Sequence, residues 1–182
     1  MVEYVAMHTM RRQDKLISSP REIATILAAG QVCHLALHDT PYPYVVPLNY
    51  GYRAPSPEAP KGALFFHGAG SGHKLDLIRR NPRASFVVDT DHRLITAEEA
   101  YRFTMHYRSV MGTGTITILE SPEDKRHGLD ILMNQYSRET GWTYPPKMLA
   151  AMAVFILEID EVSGKQSPPP TATEKQLNEP AG

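Results

Sequence analysis

The sequence predicts a mainly β protein (α+β by strict count), an antiparallel barrel of six or seven strands with a few peripheral helices. Three observations carry that reading. Short runs of alternating or continuous apolar character recur with short connections between several of them. Only three segments show helical periodicity, too few for an alternation of strand and helix, so the sheet is expected to be antiparallel. A sheet of this size leaves two exposed edges unless it closes, and closure into a barrel removes them.

The elements follow in order. Residues 1–18 form an N-terminal segment of mixed character, read as lying outside the core. Ser19-Pro20-Arg21-Glu22 is a capping box with proline at the first helical position; it opens a helix with Ile23, Ile26 and Leu27 on one face, ended by Gly30. A strand over 32–39 puts Cys33, Leu35 and Leu37 on one face and His34 and His38 on the other. A second strand spans 42–52, and 54–61, with three prolines, is a loop. A strand over 63–67 leads through Gly68, Gly70 and Gly72 into a helix that begins near Ser71, shows Leu75 and Ile78, and stops at Asn81-Pro82. Strands over 84–90, 101–111 and 115–120 follow, with Gly112 and Gly114 marking a bend or bulge at a barrel corner. Ser121-Pro122-Glu123-Asp124 starts a helix with Leu129, Leu132, Met133 and Tyr136 on one face. A strand over 154–162 closes a domain placed at 19–165. The proline-rich stretch 166–182 has almost no apolar residue to offset its ordering entropy and reads as a disordered tail.

Composition excludes several functions. Lys plus Arg is 19 against 20 for Asp plus Glu, a net charge of −1 with no clustered basic run, which argues against a nucleic-acid partner. The single Cys33 excludes an intrachain disulfide and a Cys-rich metal site. The longest apolar run, 148–157, is too short to cross a bilayer, and the N-terminus lacks a charged-then-apolar signal pattern. A soluble, cytoplasmic protein without membrane contact is expected. The eight histidines contain no HExxH, and His34 and His38 stand ~13 Å apart on a strand. No metal is expected.

Three segments carry chemistry. In LFFHGAGSGHKLDLIRRN (64–81) a strand ends at His67, a glycine-rich turn follows, and a helix opens with Lys74 in its first turn. Amides at a helix N-terminus beside a lysine suit a phosphate monoester; the same pattern also describes a tight strand-to-helix turn with an exposed Lys74. In YPYVVPLNYGY (42–52), Pro47 inside an apolar strand implies an edge or a bulge. Free main-chain groups there could read the edge of a flat heteroaromatic ring, or the proline could simply guard the edge against aggregation. In Tyr107-Arg108-Ser109-Val110, Arg108 and Ser109 have the chemistry to hold a phosphate or a polyol chain, although an isolated strand arginine more often simply faces solvent. Trp142, in a turn-rich connection, suits either a cofactor lid or a plug for the barrel end.

Taken together, PYVVPLNYGY, LFFHGAGSGHKLDLIRRNP, YRSVMGTGTI and the closing EVSGKQS resemble the pyridoxamine 5′-phosphate oxidase-like flavoproteins, and among them the branch of the nitroimidazole resistance proteins. The likeness runs from about residue 10 to 167, and FHGA-x-x-GxK is its most specific part. It implies a split β-barrel of Greek-key type that forms a homodimer with FMN in the crevice between subunits. By that resemblance Val46, Pro47 and Leu48 pass the isoalloxazine ring. Phe66, His67, Gly68 and Ala69 border the ring and ribityl chain, and His73 and Lys74 bind the phosphate. Arg108 and Ser109 help hold the ribityl-phosphate, and Trp142 borders the cofactor. The implied activity is reduction of a small-molecule acceptor, nitroaromatic or quinone-like, through FMN N5, with His67 delivering a proton. A C-terminal Arg-x-His element is absent, so pyridoxine phosphate oxidation is not implied. A haem-binding split barrel using His67 or His106, or a flavin carrier or sensor without turnover, are the alternatives.

Overall fold

The computed structural model describes residues 10–167. In chain order its elements are β1 (Leu16–Ile17), α1 (Pro20–Ala29), β2 (Cys33–Leu37), β3 (Tyr44–Leu48), β4 (Gly51–Arg53), β5 (Ala63–Ala69), α2 (His73–Arg80), β6 (Arg83–Ile95), β7 (Thr104–Leu119), α3 (Pro122–Tyr136), α4 (Pro146–Ala151) and β8 (Met152–Gln166). Every strand pairing is antiparallel, in the order β3-β2-β6-β7-β8-β5-β4, with β1 beside β8. β3 and β4 stand at opposite ends of that path, yet only Asn49 and Tyr50 separate them in sequence. Three residue steps span at most ~11 Å, so the sheet has curled until its ends meet. The barrel is closed there by the chain itself, with no β3–β4 ladder among the described residues. The single strand expected over 42–52 is therefore two, and the break between them is the split.

The two strands expected over 101–111 and 115–120 are one, β7, and the irregularity lies in its partner. Thr113 pairs with Glu161 but Gly114 pairs with Ile159, so Asp160 is the extra residue of a bulge on β8. The glycines serve close packing: a Cβ on Gly112 would stand 2.6 Å from the Phe86 ring, and one on Gly114 would run into the Glu158 carbonyl. The barrel interior holds Leu35, Leu64, Phe66, Phe86, Val88, Val110, Phe155 and Leu157, all essentially without solvent exposure. Each such side chain contributes ~1.5–3 kcal/mol by leaving water.

Both serines cap their helices. Ser19 Oγ accepts from the Glu22 amide at 3.4 Å and Ser121 Oγ from the Asp124 amide at 3.0 Å. α1 buries Ile23, Ile26 and Leu27 against the sheet. Its last turn carries no basic residue, and its C-terminal carbonyls are met from α3 instead: Gln135 Nε2 donates to Leu27 O, Ala28 O and Gly30 O at 3.1, 3.0 and 2.8 Å. The Tyr136 hydroxyl donates to Gln31 O at 2.7 Å and accepts the Tyr50 amide at 2.9 Å. Tyr136 is thus half-exposed and works through its oxygen, where the sequence pattern placed it on the apolar face of the helix. α4 was not expected; it takes up the start of the apolar run at 148–157, and β8 begins after it.

Strand pairing extends on both sides of the expected span 19–165. Ile17 is buried and pairs with Gly164, so part of 1–18 belongs to the core. Gln166 ends β8, and buried Ser167 accepts the Tyr107 amide at 2.9 Å. The rest of the expected tail, 168–182, lies outside the described residues, as do residues 1–9. No helix among the described residues is long and apolar enough to cross a membrane.

Candidate functional site

The corner where β5 runs into α2 is built around glycine. Gly72, at φ +127°, adopts a backbone that side chains rarely permit, and a Cβ on Gly70 would stand 2.7 Å from the Ala151 carbonyl. Ala151 O accepts the Gly70 amide at 3.2 Å, tying the turn to the start of β8. α1 and α3 each have a serine cap, whereas α2 has Gly72 and no side-chain cap. Gly72 O accepts from Leu75 and Asp76, and among the described residues the amides of His73 and Lys74 have no acceptor.

Lys74 stands over this helix end. Its Nζ is 5.5 Å from the Phe155 ring centroid and would be 3.2 Å from a Cβ on Gly68. It is half-buried, and among the described residues no carboxylate pairs with it. Desolvation holds its pKa below the ordinary lysine value. An unpaired, partly desolvated ammonium beside open helix amides is a site for an anion, and a phosphate fits it.

His73 is held rather than free. Its Nε2 lies 2.7 Å from Asp39 Oδ2, and its ring meets Tyr44 edge-to-face at 5.4 Å. That bond places the start of β3 beside α2. β3 then runs away along the open edge of the sheet with Val46 and Leu48 half-buried and Pro47 exposed, so the edge-strand reading of Pro47 holds. His67 is exposed near the end of β5. Phe66, assigned to the ring border, is fully buried: it stacks on Phe155 at 5.2 Å inside the barrel.

Arg108 and Ser109 are elsewhere. Adjacent strand residues point to opposite faces, so the two side chains lie on different sides of β7. Ser109 Oγ donates to Lys165 O at 3.4 Å, while Arg108 reaches Asp91 at 3.7 Å and keeps a buried Nε without a partner. Ten residues of β7, ~33 Å of strand path, separate Arg108 from Ile118, whose β8 partner Phe155 lies under Lys74. Trp142 is half-buried in the α3–α4 connection, its indole N–H donating to Glu139 O at 3.1 Å.

Two carboxylates were missed. Asp39 had no local signal, because its partner lies 34 residues away. Asp91 did: two aspartates in a strand run invite a break, and Asp91 takes φ +61° at the bulge between Thr90 and Arg93. The bulge lets β6 continue to Ile95, beyond the expected end at 90.

The family profile described as pyridoxamine 5′-phosphate oxidase matches residues 19–166. The chain belongs to this family. A candidate 5-nitroimidazole antibiotic resistance protein from Bacteroides thetaiotaomicron is 26% identical, with a TM-score of 0.71 over 83% of this chain and 86% of that one. An FAD-binding protein from Mesorhizobium loti is 27% identical, with a TM-score of 0.58 over 82% and 95%. A flavocytochrome from Azotobacter vinelandii shares the fold at 21% identity, with a TM-score of 0.74 over 96% and 81%. The split-barrel architecture of the pyridoxamine 5′-phosphate oxidase family is thus common to chains of quite different sequence.

Proposed function

We propose that this member of the pyridoxamine 5′-phosphate oxidase family is a cytoplasmic FMN-binding oxidoreductase that reduces a small acceptor, nitroaromatic or quinone-like, as a homodimer. The observation that carries the reading is Lys74: unpaired, half-buried and poised over the uncapped N-terminus of α2. Bound FMN would supply electron transfer at its N5, and the chain's residues would do the rest. The α2 amides and Lys74 hold the phosphate by charge-assisted hydrogen bonds. The free edge of β3 at Val46, Pro47 and Leu48 offers main-chain groups to the polar rim of the ring. His67, exposed near the end of β5, is placed to exchange a proton with solvent and is the candidate donor.

The second copy supplies what one chain lacks. Arg108 and Ser109 lie far along β7 from Lys74, and exposed Leu94, Phe103 and Met105 near the β6–β7 turn, with Val45 on β3, offer apolar surface for a partner. A similarity to a candidate nitroimidazole resistance protein supports the acceptor class. The test is an absorbance spectrum of the purified protein after incubation with FMN and desalting, followed by NAD(P)H and a nitroaromatic. Retained flavin bands that bleach with donor and recover with acceptor are expected. A Soret band, or no retained chromophore, would sink the proposal.

A further inference from the structure

Asp39 lies in the connection between β2 and β3 with only 22% of its side chain exposed. His73 Nε2 at 2.7 Å, the Thr40 amide at 2.9 Å and the more distant Arg80 guanidinium hold its carboxyl ionised below the ordinary range. An ionised carboxylate only accepts hydrogen bonds, so the proton of the 2.7 Å contact belongs to Nε2. In a neutral His73 ring this leaves a lone pair at Nδ1, the ring nitrogen nearer the residue's own backbone. Among the described residues Nδ1 has no hydrogen-bond partner. That backbone is the first turn of α2, where the His73 and Lys74 amides stand open. A lone pair repels a phosphate oxygen seated on those amides, whereas an N–H binds it.

The other groups around the ring do not take over the part of Asp39. Tyr44 from β3 packs edge-to-face at 5.4 Å and is uncharged. On α2 itself Lys74 is the next residue, and Asp76, one turn on, pairs with Arg79. His38 precedes Asp39 and lines a cavity with it and Arg80. With a neutral ring, the carboxylate and a bound phosphate are like charges on either side of one imidazole; a protonated ring puts a positive charge between them. We propose that Asp39 is a positioning residue for the flavin phosphate: it fixes the tautomer of His73 and supplies the countercharge that lets the ring take up one proton at Nδ1 as the phosphate binds. The proton comes from solvent, rests on Nδ1 and is donated to a phosphate oxygen, while Nε2–H stays on Asp39. The inference rests on the flavin reading and makes the strength of that binding step depend on pH.

The test measures FMN and riboflavin affinity by flavin fluorescence between pH 6.5 and pH 8.5, with calorimetry in buffers of different ionisation heat to count protons. Riboflavin lacks the phosphate and is the control. The window stays above the second ionisation of a phosphate monoester, at roughly pH 6, which acts on every variant alike. Uptake of one proton changes affinity by up to about tenfold per pH unit. Wild-type FMN affinity is expected to fall about tenfold from pH 6.5 to pH 8.5, with proton uptake on binding, while riboflavin affinity stays level. His73→Gln, which cannot titrate, is expected to lose the slope. Asp39→Asn keeps an acceptor for Nε2–H without the charge, and its effect should change with pH. It is expected to bind FMN more weakly than wild type at pH 6.5, and at least as tightly at pH 8.5, where the carboxylate only repels the phosphate. An equal loss at both pH values would make Asp39 a structural residue and overturn the proposal. A wild-type preference for FMN over riboflavin that is level with pH and takes up no proton would also overturn it, and would leave the flavin reading standing. Binding of neither flavin would remove both. A melt checks that each variant folds, and the proton count on wild type depends on no variant.

Discussion

His73 Nε2 and Asp39 Oδ2 meet at 2.7 Å, joining the first turn of α2 to the hairpin between β2 and β3. The bond holds the Asp39 carboxyl below its ordinary value of 3.8, the hydrogen bond from His73 being the main cause and that from the Thr40 amide the next. A depressed carboxyl binds fewer protons folded than unfolded, so its contribution is present above the unfolded value and is lost as pH falls through the folded one. Carbon-detected NMR should show Asp39 titrating below 3.8 in wild type and moving back up in His73→Ala. The same variant should lose less stability between pH 5 and pH 2. Identical Asp39 titration in both proteins would mean that the pair does not persist in solution.

Lys74 gives a prediction with two opposed signs. Its ammonium is partly desolvated and unpaired, so Lys74→Met removes a cost from the empty protein and a contact from the loaded one. The melting temperature without flavin should hold or rise, while FMN affinity falls by about 1.5–3 kcal/mol. A depressed lysine pKa also makes the wild-type apo protein gain stability as pH rises toward 10.5, a gain the variant should lack. Unchanged FMN affinity would remove Lys74 from the phosphate site.

Local features were legible in the sequence and non-local ones were not. Ser19 and Ser121 announced their helices because a cap is a matter of three residues. The glycine turn announced the Lys74 corner for the same reason. The break at Asn49-Tyr50 was hidden, because an apolar run reads as one strand whichever sheet edge each half joins. Gln135 and Tyr136 were hidden too, since the carbonyls they serve lie more than 100 residues earlier. Arg108 and Ser109 are adjacent in sequence, and the alternation of β7 turns their side chains to opposite faces.

Two glycines on the sheet should respond differently to the same added methyl. At Gly68 a Cβ would approach only Lys74 Nζ, the mobile end of a side chain, at 3.2 Å. Gly68→Ala should leave stability nearly intact and weaken FMN binding by displacing the ammonium. At Gly112 the Cβ would meet the buried Phe86 ring at 2.6 Å and the Glu161 carbonyl at 2.7 Å. Gly112→Ala should cost about 1–3 kcal/mol, a fall in melting temperature of roughly 2–12 °C for a domain of this size. Equal losses of stability in the two variants would contradict the packing described for the Gly68 corner.

The proposed dimer makes the last prediction. Leu94 and Met105 face each other across the β6–β7 ladder, and both are exposed, as is Phe103 beside them. None of the three supports the barrel core, so charges placed there act on association rather than on folding. Leu94→Glu with Met105→Lys retains a favourable cross-strand pair within one chain, yet removes apolar surface that a second copy would cover. Sedimentation should report a dimer for wild type and a monomer for the double variant, with the melting profile of the barrel otherwise kept. If Arg108 reaches the cofactor from the partner, the monomer should also bind FMN more weakly than wild type. Arg108→Ala in the intact dimer should reproduce that loss without changing the oligomeric state, because within its own chain the side chain makes only a long, partly exposed ion pair to Asp91 and keeps a buried Nε without a partner. A monomeric wild type that binds FMN at full affinity would refute the shared site.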